Sequence, residues 1–449
     1  MNPELQRNLW LECTPLRLLA APAILGLIFA LFGSSGPNWP GAVFSTAQTV
    51  FLLVTAFWGT RVAASAVAGE LSGRTWDQQR LSGLGPWPMT WGKLFGSTSF
   101  IWLVLGLCVL AQMLALMAAN AGQLQGPGAS FLGALGWPLM AVELSGAFFA
   151  FAVAFFSSLL ALNGQERSRG FDTTLFQFIA LVAVFAVWGS VMAQTVTGRS
   201  FLEASDWLTD WWVALPAWQM ISLSFLLFGG AALVGSYHQM RKAFAMRTTA
   251  LLWLAFLAVL IAYFTGFGQG EWALVALVAL SIASYAAVLL EPHKLVAYRG
   301  WLSALARGEA VALLRAPAWL YAWIGGAVIA LYLVTGGEFR APTFARDWIE
   351  IDGSVVAGAL ILFVLRDMGL AVWAGLRARD GRGLWTAVLL ILVAGVVMPG
   401  LGFTFNASSL FTPMNTTSLV SAAVQALVVW ALVGREIVRP LQPAVPEAA

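Results

Sequence analysis

The sequence predicts an all-α, polytopic membrane protein with about twelve transmembrane helices. Three observations carry this. Of 449 residues, 60% are hydrophobic and 10% charged, with a mean hydropathy of +0.81; a soluble globule would carry about 25% charge. Apolar runs near the roughly 20 residues that cross a bilayer recur along the whole chain. Runs such as 20–32 and 249–264 are continuous rather than alternating, so they satisfy their backbone in lipid as helices and not as barrel strands.

Taken in order, the expected spans are 17–34, 43–67, 94–119, 137–163, 172–195, 217–238, 249–267, 271–290, 317–335, 354–376, 384–403 and 418–435. The first follows a polar, amphipathic stretch, Asn2–Thr14, and Pro15. That beginning lacks the small-residue cleavage site of a secretory signal, so none is expected. With the amino terminus inside, only Arg199, Arg340 and Arg346 of the 24 Lys and Arg residues fall outside. This bias predicts that both termini are cytoplasmic. Cys13 and Cys108 stand far apart without a CxxC spacing, which argues against a disulfide framework or a zinc site.

The chain reads as two weakly similar six-helix halves, 1–245 and 246–449. An amphipathic stretch and a proline precede a span in each (Asn2–Thr14 and Pro15; Trp301–Arg315 and Pro317). The next span ends in AVAGEL at 66–71 in one half and VWAGLR at 372–377 in the other. Such parallel repeats occur in transporters, and chance likeness of apolar sequence is the other reading. Two outer loops have content. Within 195–219, SDWLTDWWVALPAW is either an interfacial aromatic belt or a segment dipping into the membrane, and 336–352 is acidic through Asp347, Glu350 and Asp352.

The segment Gly69–Lys93 (GELSGRTWDQQRLSGLGPWPMTWGK) departs from the rest. It is polar, carries Trp76, Trp87 and Trp91, and is predicted to lie inside. Residues 74–82 can form about two helical turns, with Trp76, Gln79 and Arg80 near one face. Gly83, Gly85 and Pro86 break that helix, and Pro88 suits the first turn of the next one. The matching place in the second half is the short RARDGRG at 377–383. Adhesion of a basic, Trp-bearing loop to anionic lipid is the alternative use.

In its order of residues the segment resembles the permeases of ABC-2 type exporters. The matching positions are Glu70, Gly73, Thr75, Leu81, Ser82, Pro86, Gly92 and Lys93. The amphipathic start and the Trp- and Pro-bearing loop between the fifth and sixth spans fit the same family, so the resemblance covers roughly 1–245. It implies that 69–93 holds a coupling helix seated in a cleft of a separate ATPase subunit. Glu70, Gly73, Arg74, Thr75, Trp76, Arg80, Leu81, Ser82, Pro86 and Lys93 would form that contact. Three departures stand out: Arg74 is inserted between Gly73 and Thr75, Trp76 replaces a small aliphatic residue, and a second acidic residue beside Glu70 is missing. The second half would be a degenerate copy, leaving a homodimer or a single-chain pseudo-dimer open.

Enzyme signatures are lacking. No GxxxxGK[ST] occurs, so ATP and magnesium would belong to the partner chain and no cofactor is expected here. His238 and His293 stand alone at cytoplasmic span ends and read as interfacial residues. Glu143 lies about 10 Å below the outer surface, where a charge is costly and usually faces a wet path or a neighbouring helix. It is a candidate for the substrate route or for a packed carboxyl. Arg366 and Asp367 fall in the tenth span. Their directions differ by about 100°, which predicts that they do not pair with each other. Arg366 is expected to snorkel, and Asp367 to pair with Arg61 on the repeat-related span.

The expected function is the permease of an exporter of hydrophobic or amphipathic substrate, in a cell membrane such as the bacterial inner membrane. Its partners would be an ABC ATPase and the bilayer, with no nucleic acid. A secondary transporter, a membrane scaffold or an enzyme acting on a lipid-linked substrate are the rival classes.

Overall fold

The computed structural model describes residues 2–33, 39–72, 78–79, 81, 83–119, 127–164, 215–246, 248, 250–266, 272–291, 293–335, 353–377, 383–405, 407–413 and 416–439. Among the described residues every regular element is helical. Nine helices there are long and apolar enough to cross a membrane, and two further apolar helices, Leu251–Thr265 and Ala318–Val334, are shorter. Eleven of the expected spans thus have a helix. The fifth (172–195), the loop before 215, the acidic stretch 347–352 and most of 74–82 and 377–383 lie outside the described residues.

The chain divides into two compact units, the first ending at Thr248. The first unit opens with α1 (Pro3–Glu12) and α2 (Pro15–Gly33). Asn2 caps α1 by accepting the Glu4 N–H at 3.0 Å, and Pro3 suits a first turn that needs no N–H donor. Then α3 (Trp39–Leu53) runs through a π-helical turn, Val54–Gly59, into α4 (Thr60–Ser72). A Cβ on Gly59 would overlap the Phe151 ring and press on Ile101, so the glycine permits the close approach at the end of the turn.

After the polar segment, α5 (Pro86–Ser97) starts on a proline and breaks at Thr98, whose hydroxyl donates to the Leu94 carbonyl at 2.7 Å. The core helix α6 (Ser99–Ala118) follows, then the long α7 (Pro127–Gly164) and α8 (Ala217–Ala243). α7 and α8 interlock by glycine and phenylalanine: Gly229 faces Phe148, Gly235 faces Phe156, and Gly146 faces Phe225. Small residues at helix crossings are how packing replaces hydrophobic drive in lipid. Phe51, Ile101, Leu105, Phe151, Phe155 and Leu159 fill the centre of this unit.

The second unit contains α9 (Leu251–Thr265), α10 (Trp272–Leu290), and the short pair α11 (Leu295–Ala306) and α12 (Ala310–Leu314). Gly308, at φ +69°, turns the chain between the pair. Next come α13 (Ala318–Val334), α14 (Gly353–Arg377) and α15 (Gly383–Leu392). A second π turn, Val393–Val397, leads into α16 (Met398–Thr404), and α17 (Thr416–Val438) completes the unit. Indole N–H groups tie these helices through backbone carbonyls: Trp253 to Ala318 at 2.8 Å, Trp323 to Ile361 at 3.1 Å and Trp430 to Leu365 at 3.0 Å. The second amphipathic stretch begins at Leu295, ahead of the expected Trp301, because Lys294 leaves extended backbone there.

Candidate functional site

The polar segment is held at both ends by α1. Lys93 is buried on α5, and its ammonium donates to Glu4 Oε1 at 3.1 Å and also to Glu70 Oε2. Glu70 in turn accepts from Arg7 at 3.0 Å and from the Gln79 amide at 2.5 Å. Arg7 also reaches Glu4 at 3.1 Å. Asn2, having capped α1, donates its amide to the Pro88 carbonyl at 2.6 Å. The entry (Glu70) and the exit (Pro88, Lys93) of the segment therefore meet on α1, with Gln79 joined to them through Glu70, and the clasp's two carboxylates balance its two cations.

Local sequence makes this meeting feasible. Gly92 and Gly96 stand one turn apart on the face of α5 that receives α1. A Cβ on Gly92 would come within 2.6 Å of the Asn2 amide and 3.1 Å of Glu4 Cβ; on Gly96 it would come within 2.7 Å of Asn8 Cβ. Asn8 donates its amide to the Glu4 carbonyl at 2.9 Å and to Glu4 Oε1 at 3.1 Å, which fixes the carboxylate's direction. The buried face of α1 is thus polar, while Trp10 and Leu11 point outward, 75% and 62% exposed.

Of the residues singled out from the sequence, Glu70 and Lys93 are brought together. Pro86 begins α5, and Leu81 is 86% exposed. Gly73, Arg74, Thr75, Trp76, Arg80 and Ser82 lie outside the described residues. Glu4, Arg7, Asn2 and Asn8 were not anticipated. Their signal is a polar i, i+3, i+4 face (Glu4, Arg7, Asn8) set against a Gly-x-x-x-Gly on α5. Trp87 flanks the site and meets Tyr237 edge-on at 5.5 Å.

A second polar cluster lies in the helical core of the first unit. Glu143 on α7 is buried and accepts from the Gln112 amide of α6 at 2.9 Å. Gln48 of α3, also buried, turns toward the same carboxyl.

The third cluster corrects an expectation. Arg366 and Asp367 do pair: Nε donates to Oδ1 at 2.8 Å and Nη2 lies 2.7 Å from the same oxygen. Cβ directions diverge along a helix, but the arginine side chain is long enough to fold back to its neighbour. Asp367 Oδ2 accepts from Tyr285 at 2.6 Å, so both oxygens are occupied inside the second unit. Arg61, the partner expected from the repeat, is exposed on α4. Arg366 is buried rather than snorkelling, and donates to Gln425 at 2.7 Å and to the Ala394 carbonyl of the π turn at 3.4 Å.

His293, just beyond the end of α10, is half-buried. Its Nε2 lies 2.9 Å from the Val288 carbonyl and its Nδ1 3.0 Å from the Tyr298 hydroxyl. The carbonyl can only accept, so Nε2 carries the proton and Nδ1 accepts from tyrosine. Burial pulls this imidazole down to about 4. Both cysteines are free thiols, and among the described residues no group of three His, Cys, Asp or Glu could hold a metal ion. The chain matches no known protein family, no curated protein and no solved structure.

Proposed function

We propose that this chain is the transmembrane permease subunit of an ABC-2 type exporter. A separate ATPase would supply hydrolysis and grip the segment 69–93 from the cytoplasm. The observation that supports this most is the charged clasp. A load on the segment's exposed part, which includes Leu81, reaches α1, α4 and α5 together through Glu70, Glu4 and Lys93. A floppy lipid-adhesive loop would need no such joint. The outward Trp10 and Leu11 suit α1 to the bilayer surface, as in interfacial helices. Export of a hydrophobic or amphipathic molecule, in a homodimer or a single-chain pseudo-dimer in a bacterial inner membrane, completes the reading.

The deciding experiment is co-purification with a phosphate-loop ATPase co-expressed with this chain. Binding should be lost in Trp76→Ala with Arg80→Ala while the membrane protein still accumulates. Complex formation undiminished by both changes would remove 69–93 as the docking site.

A secondary transporter is the second reading, favoured by one observation: an ion pair with tyrosine and glutamine partners at mid-helix in α14. Transport in proteoliposomes separates the two. Dependence on the ATPase and ATP supports export; dependence on an ion gradient alone supports the alternative.

A further inference from the structure

Glu143 and Gln112 pose a hydrogen-bonding problem that neither reading above addresses. The Gln112 amide N–H donates to Glu143 Oε2 at 2.9 Å. The other oxygen of each group, Glu143 Oε1 and Gln112 Oε1, is buried and accepts from nothing. Two orphaned acceptors sit on two planar groups already joined by one hydrogen bond. Leaving each unmade carries a desolvation penalty, larger for a charged group.

Among the described residues the one further donor nearby is the Gln48 amide of α3, which turns toward the Glu143 carboxyl, and no counter-charge lies beside it. Phe44, Leu116, Leu139 and Met140 pack the neighbouring ends of α3, α6 and α7. By helical rise Gln112 lies about 9 Å from the end of α6, and Glu143 about 10 Å from Gly136, where the apolar part of α7 begins. Among the described residues, α3 and its π turn carry no ionisable group, and α6 offers only Cys108, a buried thiol. On α8 the ionisable residues, Tyr237, His238, Arg241 and Lys242, are confined to the far end. Arg61 and Glu70 on α4 lie about 20 Å or more further along from Gln48, and Lys93 of α5 is engaged in the clasp.

We infer that Glu143 is a proton-binding site within the membrane, whose bound proton on Oε1 donates to Gln112 Oε1. One proton, taken from water, turns one orphan into a donor for the other and closes a cyclic acid–amide pair. It also removes a charge that no cation among the described residues offsets. Gln48 then remains a neutral neighbour that can follow gain or loss of the proton. The inference stands on the first unit alone, so its failure leaves the export reading untouched.

Infrared difference spectroscopy of the full-length protein in lipid nanodiscs at pH 7 tests it. Wild type minus Glu143→Gln should show the carbonyl band of a protonated carboxyl, shifted in heavy water. A pair of carboxylate stretches in its place would overturn the proposal. Should that variant not accumulate, Gln112→Leu serves. The protonated band should persist and move to higher frequency as its acceptor is removed; a band that stays where it was would equally overturn the assignment.

Discussion

Arg366 and Asp367 are neighbours on α14 and are also each other's ion-pair partner, with Nη2 2.7 Å from Oδ1. The pair is not isolated. Tyr285 of α10 donates to the aspartate, and Gln425 of α17 accepts from the arginine. Gln425 passes its own amide hydrogens to the Leu410 carbonyl at 2.8 Å and to Ser421 at 2.9 Å. One adjacent pair thereby fastens four separate stretches of the second unit.

Removing one member should be far worse than removing neither. Arg366→Met strands a buried carboxylate, and a loss of about 3–5 kcal/mol is expected. Asp367→Asn keeps a Tyr285 acceptor and should cost less. Arg61→Gln should leave the unfolding midpoint unchanged. Thermal unfolding of the three purified variants orders them, and an Arg61 effect as large as that of Arg366 would restore the pair expected from the repeat.

Lys93→Met leaves Glu4 and Glu70 facing each other across the vacated ammonium. We expect a loss of about 3–5 kcal/mol. Adding Glu4→Leu should recover part of it, because Glu70 still has Arg7 and Gln79. A double-mutant cycle on unfolding midpoints reads the coupling, and strict additivity would deny that Glu4 and Lys93 interact.

Gly96→Leu should dislodge α1, since even a Cβ there comes within 2.7 Å of Asn8 Cβ. Overpacking of this kind costs about 1–3 kcal/mol. Gly106→Ala is the control, with nothing within 4 Å of its added methyl. Protease cleavage near Glu12 should quicken in the first variant and not in the second.

His293 makes the second unit sensitive to acid. Its imidazole is held down to about 4 from an ordinary 6.5, so the unfolded chain binds the proton more readily. Stability from this group is complete above about 6.5, falls as the pH drops below that, and is gone below about 4. The full span corresponds to roughly 3 kcal/mol. His293→Gln should narrow the difference in unfolding midpoint between pH 7 and pH 5; an unchanged difference would assign the acid sensitivity elsewhere.

The sequence made the helical class and the odd segment legible because lipid imposes long apolar runs and 69–93 breaks them. Glu70 and Lys93 were singled out by the resemblance to exporter permeases, as contacts to an ATPase and not as partners of each other. Glu4 was not, because an amphipathic pattern does not say which side of the helix packs against protein. In α1 the polar side is buried and Trp10 is exposed, an inversion that composition alone does not reveal. The π turn at 54–59 was equally silent, since one extra residue in a wide apolar stripe leaves the periodicity looking the same. Arg366 with Asp367 failed for a different reason: a helical wheel records where a side chain starts, not how far it can bend.

The clasp between α1 and α5 also fixes an order of assembly. Lys93 follows Glu4 by 89 positions along the chain. At about 5–20 residues per second, several seconds or more separate the two on the ribosome. Through that interval α2, α3 and α4 can enter the bilayer while the polar side of α1 has no companion. α1 is therefore seated only after the three helices that follow it have been made, and its docking signals that α2, α3 and α4 have been threaded.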